Sequence, residues 1–236
     1  MKKIVVGNQK AVLEKDSVLN FIKFFENNDL VSEVVICPSF VFIPYFEKSK
    51  FILGSQDVSI KNGGATTGDV SSKQLKSMNI SYSIVGHSER REIFNDLSTV
   101  IVEKINRLYE EGITPILCVG ENKEEKENNT TKDVIAKELI DVFDNISKDR
   151  EIIVAYEPIW AIGTGLVPTL DEIDDIVSFI KDFISDKYKK NVKVLYGGSV
   201  NSKNIDELNK TVSDGYLIGG ASCKEEEFLH IIEKCL

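Results

Sequence analysis

Residues 152–196 read IIVAYEPIWAIGTGLVPTLDEIDDIVSFIKDFISDKYKKNVKVLY, and the order of patterns within them decides the fold. An apolar run, Ile152–Tyr156, passes into a loop of small residues. Thr169 and Glu172 then stand at capping-box spacing, each side chain placed to satisfy an amide at the other's end of the first turn. Behind them Ile173, Ile176, Val177, Ile180 and Ile184 recur with helical period. A second apolar run, Val192–Tyr196, completes a strand–helix–strand unit.

The alternation continues in both directions. Short runs rich in β-branched residues recur at Lys3–Gly7, Glu33–Cys37, Phe51–Gln56, Tyr82–Gly86, Ile113–Val119 and Asp214–Ile218. Helical faces follow most of them. Val18, Phe21, Ile22 and Phe25 line one behind Asp16, the expected N-cap. Ile101, Ile105 and Leu108 line another, which Gly112 ends, and Ile135, Leu139, Val142 and Ile146 a third. Val41–Phe46 and Ser72–Met78 read as short helices, and Glu121–Asn129 as a charged loop.

Eight such units in 236 residues average just under 30 residues each, the size of one βα repeat. Continuous Val/Ile runs suit strands buried on both faces, hence a parallel sheet. A doubly wound open sheet is the alternative. The unbroken eightfold count and a length near the usual ~250 residues favour closure. The predicted fold is a single α/β domain over residues 1–236, a (β/α)8 barrel of eight parallel strands each followed by a helix.

Composition narrows the function. With 29 Lys+Arg against 38 Asp+Glu the formal charge is −9, which argues against a nucleic-acid or anionic-membrane binder. The longest charge-free stretches, Val34–Phe46 and Pro158–Leu170, have 13 residues each and contain prolines, too short to span a membrane. The N-terminal apolar run is only Ile4–Val6, shorter than a secretory core of roughly 7–15 residues, so the expected location is cytoplasmic. Cys37, Cys118, Cys223 and Cys235 form no CxxC pair, and the first two read as small buried hydrophobes.

In barrels of this kind the chemistry sits at the C-terminal ends of the strands. The first strand ends in GNQK, placing Asn8 and Lys10 at the mouth. The fourth ends in GHSERR, with His87 its first loop residue; His230, the other histidine, falls in the last helix with no polar motif around it. Glu157 leaves the sixth strand just before Pro158, and so projects from a rigid strand end. The loop beyond it (Ala161, Gly163, Thr164, Gly165, anchored by Trp160) has the composition of a lid that offers backbone amides. The last two strands end in YGGSV and IGGAS, where paired glycines let the backbone approach an anion. Barrels often build a phosphate site there.

The mouth thus has one carboxylate, one imidazole, one ammonium and a set of amide donors. That equipment suits proton abstraction α to the carbonyl of a small sugar phosphate. No metal cluster, nucleotide fingerprint or Ser–His–acid arrangement is legible, so no metal or cofactor is expected. An aldolase would want a Schiff-base lysine on a central strand, and none lies between Glu151 and the end of the lid. A non-catalytic barrel would lack Lys10, His87 or Glu157; all are present.

The motifs GNQK, TGDVS, VGHSERR, CVGE, AYEPIWAIGTG, YGGSVN and IGGAS, in this order across the chain, resemble those of the triosephosphate isomerase family. The resemblance implies an isomerase of glycolysis and gluconeogenesis that interconverts dihydroxyacetone phosphate and D-glyceraldehyde 3-phosphate through an enediolate. It makes Glu157 the proton shuttle and His87 a neutral hydrogen-bond donor to the substrate oxygens. Lys10 would offset negative charge while Asn8 adds a hydrogen bond. Asn8, Gln9 and Lys10 would contact substrate, and Gly163, Ser199, Gly219 and Gly220 would hold the phosphate. A carboxylate base with a neutral histidine is the general account of this enzyme.

Lys61–Gly68 (KNGGATTG) resembles the family's dimerisation loop, which implies a homodimer. Several positions depart from the family's pattern. Gln9 replaces an aromatic residue, Ala11–Val12 stand where an Asn-containing turn is common, and Asp69 and Asp96 replace Glu. Leu166–Val167–Pro168 form the lid's second hinge, where Pro168 fixes φ.

Overall fold

The computed structural model describes residues 2–163 and 166–236. Among them, the apolar runs become β1 (Ile4–Asn8), β2 (Val34–Cys37), β3 (Ile52–Ser55) and β4 (Tyr82–Val85). The second half supplies β5 (Thr114–Val119), β6 (Ile153–Tyr156), β7 (Lys193–Tyr196) and β8 (Gly215–Ile218). Each strand pairs in parallel with its sequence neighbours, and β8 pairs with β1 (Val5↔Tyr216) to close the barrel. The closed (β/α)8 architecture read from the sequence is the one found.

Strand alternation sorts the side chains. Val6, Val35, Cys37, Ile84, Ile116, Cys118, Ile153, Ala155, Leu195 and Leu217 fill the interior. Their neighbours Val5, Ile36, Val85, Leu117, Val154 and Tyr216 face outward, into the layer shared with the helices. Helix Leu170–Tyr188 opens on the Thr169–Glu172 capping box and buries Ile173, Ile176, Val177, Ile180 and Ile184. Gly112 takes φ +63 just past helix Ser98–Glu110, a left-handed conformation that glycine adopts without steric cost.

Three local expectations need correction. The first helix is Lys15–Phe25 with Glu14 at its N-cap, so Asp16 lies inside the first turn, where its charge still favours the helix dipole. The segment read as a charged loop contains helix Lys123–Glu127, opened by an Asn122–Glu125 capping box. A further helix, Ser88–Phe94, begins directly after His87. No helix of the described residues is long and apolar enough to cross a membrane.

Candidate active site

The strand ends bring Asn8, Lys10, His87, Glu157, Gly163, Ser199, Gly219 and Gly220 around one cavity of about 290 Å³. Thr164 and Gly165, placed in the same loop by sequence, lie outside the described residues. Gln9 does not line the cavity. It is buried, with its amide directed at the Ser222 carbonyl oxygen 3.4 Å away.

Lys10 occupies an uncommon conformation, φ +51, which costs a non-glycine residue on the order of 1–3 kcal/mol. Its surroundings fix it there. Its amide donates to Asn8 Oδ1 at 3.1 Å, and its carbonyl accepts from Ser39 Oγ at 2.7 Å and Gln56 Nε2 at 2.8 Å. The ammonium is paired with Glu89. Asn8 therefore shapes the turn that presents the lysine, and Gln56 joins the site through backbone contacts that no local motif announced.

His87 caps helix Ser88–Phe94, its Nδ1 accepting the Glu89 amide at 3.3 Å. Nε2 lies 3.0 Å from Glu157 Oε1, and Glu157 Oε2 accepts the Ser88 amide at 3.1 Å. Burial works against the imidazolium form, but the Glu157 carboxylate outweighs it and draws the His87 pKa above the ordinary histidine value. The Nδ1 bond opposes this, because an amide N–H aimed at Nδ1 leaves no place for a second ring proton. The Nδ1 contact favours the tautomer that carries its proton on Nε2, the nitrogen facing Glu157.

The glycine pairs have more than one task. A Cβ on Gly197 would stand 3.1 Å from Glu157 Cγ, and one on Gly198 would collide with the Tyr196 ring hydroxyl. The first pair therefore makes room for the carboxylate and for a buried tyrosine. A Cβ on Gly220 would meet nothing within 4 Å, so this residue leaves the cavity floor open. The short 3-10 turn Gly220–Cys223 begins there, and amides at the start of such a turn have no partner within it. Lys224 also lines the cavity rim and pairs with Glu227 at 3.1 Å.

Glu121, read as the start of a loop, is fully buried beneath the loop after β6. Its Oε1 accepts from Trp160 Nε1 at 2.8 Å and from the Tyr156 hydroxyl at 3.2 Å. These partners lie 39 and 35 residues away, beyond the reach of local pattern. Of the substituted positions, Asp69 accepts from Ser59 Oγ at 2.7 Å. Asp96 accepts from Arg90 Nε at 3.2 Å and pairs with the buried Lys104, which also bridges to Asp57 at 2.8 Å. Each shorter carboxylate thus keeps a partner, Asp69 through one oxygen at an exposed position and Asp96 through Oδ2 in a buried charge cluster. Among the described residues no three His, Cys, Asp or Glu side chains converge as a metal-binding group.

A parallel barrel whose mouth sets a carboxylate–imidazole pair opposite an open backbone cradle has the build of a proton-transfer enzyme for phosphorylated substrates. The family model described as triosephosphate isomerase matches residues 3–235. The chain is 37% identical to the triosephosphate isomerase of Alkaliphilus oremlandii, over 98% of both chains. It is 40% identical to that of Colwellia psychrerythraea, over 95% of this chain and 94% of the other. The Clostridium perfringens enzyme of the same name is 34% identical, over 97% and 98%. The chain belongs to the triosephosphate isomerase family.

Proposed function

We propose that the chain interconverts dihydroxyacetone phosphate and D-glyceraldehyde 3-phosphate, the isomerase step of glycolysis and gluconeogenesis, with Glu157 as the base. Glu157 removes the proton from the carbon next to the carbonyl and returns it to the neighbouring carbon. His87 Nε2–H stabilises the oxygen that becomes an enediolate in between. Both carboxylate oxygens of Glu157 are engaged before substrate arrives, one by His87 and one by the Ser88 amide. A substrate oxygen that takes the His87 hydrogen bond therefore frees one side of the base.

Lys10 offsets the charge of the enediolate and phosphate, and Asn8 holds the Lys10 turn and adds a hydrogen bond. Amides of Gly163, Ser199, Gly219 and Gly220 receive the dianion. Gly163 lies on the loop after β6, so binding the non-reacting phosphate favours closure over the reacting carbons. The observation that carries this reading is the Glu157–His87 contact at 3.0 Å in a cavity that the glycine ends of β7 and β8 also line.

Two parts of the proposal concern setting rather than chemistry. The protein acts in the cytoplasm, and it forms a homodimer through loop Lys61–Gly68. Large apolar residues left exposed after β1 (Val12), β2 (Val41) and β4 (Ile93, Phe94, Leu97) support the second point. They follow strands that stand beside β3 or one place away in the barrel, on the same side as the loop assigned to the dimer contact. A coupled assay of glyceraldehyde 3-phosphate turnover without added metal tests the activity. Sedimentation of the same sample tests the dimer. No turnover, or a monomer at micromolar concentration, would remove the corresponding part.

A further inference from the structure

Behind the mouth, on the side away from substrate, stands a pair of charges with no part in the proposed chemistry. Arg91 extends from helix Ser88–Phe94 and Glu138 from helix Thr131–Phe143. Arg91 Nη1 lies 3.4 Å from Glu138 Oε1, and each side chain keeps 20% of its surface exposed. An isolated pair at the protein surface contributes little to stability. Here, however, the remaining polar atoms are aimed at strand ends. Arg91 Nε donates to the Gly86 carbonyl at 2.8 Å and Nη2 to the Cys118 carbonyl at 3.0 Å. Glu138 Oε2 accepts the Gly120 amide at 3.0 Å. One guanidinium–carboxylate unit thus ties together three backbone groups at the ends of β4 and β5.

Those backbone groups carry the reacting side chains. Gly86 directly precedes His87. Glu157 donates its amide to the Val119 carbonyl at 2.8 Å, and Ile159 donates to the Glu121 carbonyl at 3.0 Å. Between these anchors, Gly120 comes so close to the Glu157 main chain that a Cβ there would overlap the Glu157 carbonyl group. Glu157 therefore rests on segment 119–121, and Glu138 holds the middle amide of that segment. The space enclosed between Glu157 and the charged pair is only about 10 Å³, no more than room for a single water. A displacement of Gly120 would pass to Glu157 with little to absorb it.

We propose that Arg91 and Glu138 are positioning residues, which set where Glu157 and His87 stand relative to each other by clamping the ends of β4 and β5. This rests on the reading of Glu157 as base and His87 as donor. Neither Arg91 nor Glu138 lines the mouth cavity. Their effect is geometric, and geometry weighs heavily in this step, because misplacing a reacting group by about 1 Å can cost about 10²-fold in rate. Of the four residues assigned to the phosphate, Ser199, Gly219 and Gly220 follow β7 and β8, which the clamp does not hold, so phosphate affinity should change far less than kcat.

The test measures kcat, KM for glyceraldehyde 3-phosphate and the inhibition constant of inorganic phosphate, together with the thermal midpoint. The proteins are wild type, Glu138→Ala, Glu138→Gln and Glu157→Gln. In Glu138→Ala, kcat should fall at least roughly tenfold, within the range a small misplacement produces, while KM and phosphate inhibition stay within about twofold. Glu138→Gln keeps an oxygen for the Gly120 amide and should recover most of the lost kcat. If Glu138→Ala does not fold, Glu138→Asp, too short to reach Gly120, takes its place. A folded Glu138→Ala protein with unchanged kcat overturns the proposal. So does a loss shared between kcat and phosphate binding, or one that Glu138→Gln fails to relieve. Near-normal turnover in Glu157→Gln would instead overturn the assignment of the base, so the two failures are distinguishable.

Discussion

The two halves of the mouth are made of different material. Around β4 and β6 the site consists of side chains: the His87 ring, the Glu157 carboxylate, and the Lys10–Glu89 pair beside them. Around β7 and β8 it consists of backbone, with four glycines in place of side chains. On the proposed function, the difference follows from what each half has to do. Moving a proton needs a group whose protonation can change, held within hydrogen-bond reach of its partner. Gripping a dianion needs fixed donors that never titrate, and amides supply these without a side chain to order. Substitutions should therefore divide the kinetic constants by location, changing kcat on one side and KM on the other.

The division can be broken most sharply at Glu157. Glu157→Gln preserves the shape but cannot accept a proton, and kcat should fall by about 10²–10⁴, the usual contribution of a positioned general base. A steady-state assay of the purified variant checks this. Next in size is His87→Gln. Removing a donor aimed at a developing oxyanion should lower kcat by roughly 10²-fold, with a smaller effect on substrate affinity. An increase in KM at unchanged kcat would place His87 on the binding side. The smallest effect belongs to the glycine half. Gly220→Ala adds a methyl that meets no protein atom within 4 Å, so the fold should be undisturbed while the phosphate site is crowded. KM should rise by roughly tenfold, equivalent to about 1.4 kcal/mol, with a smaller fall in kcat as closure loses part of its driving force. A fall in kcat alone would erase the distinction.

The same contrast explains what could be read in advance. Strands and long helices were legible because their apolar periods are strong, as in Ile173, Ile176, Val177, Ile180 and Ile184. The placement of Glu157 and His87 at the mouth was legible because each follows closely on the end of a buried strand. Helices Ser88–Phe94 and Lys123–Glu127 were not legible, since SERREIF and KEEKE are short, charged segments with no apolar stripe. Glu121 read as a surface charge because the groups that bury it, Tyr156 and Trp160, arrive from another strand end. Gln9 stood between two mouth residues in sequence, yet its side chain turns to the Ser222 carbonyl, away from the cavity. For Glu121 and Gln9 the missing information was a long-range contact, which neither propensity nor spacing encodes, whereas the Asn122–Glu125 capping box that opens Lys123–Glu127 is a local signal.

The central claim is that a carbon-bound proton leaves to a protein base and is returned from it. Isomerisation in D2O tests this directly, with product taken at low conversion and read by NMR. A proton resting on a carboxylate exchanges with solvent, so deuterium should appear at the product carbon that receives the shuttled proton. Glu157→Gln should slow that incorporation in step with its loss of turnover. Product formed at the normal rate with no solvent deuterium at that carbon, in wild type and at every conversion sampled, would contradict the account.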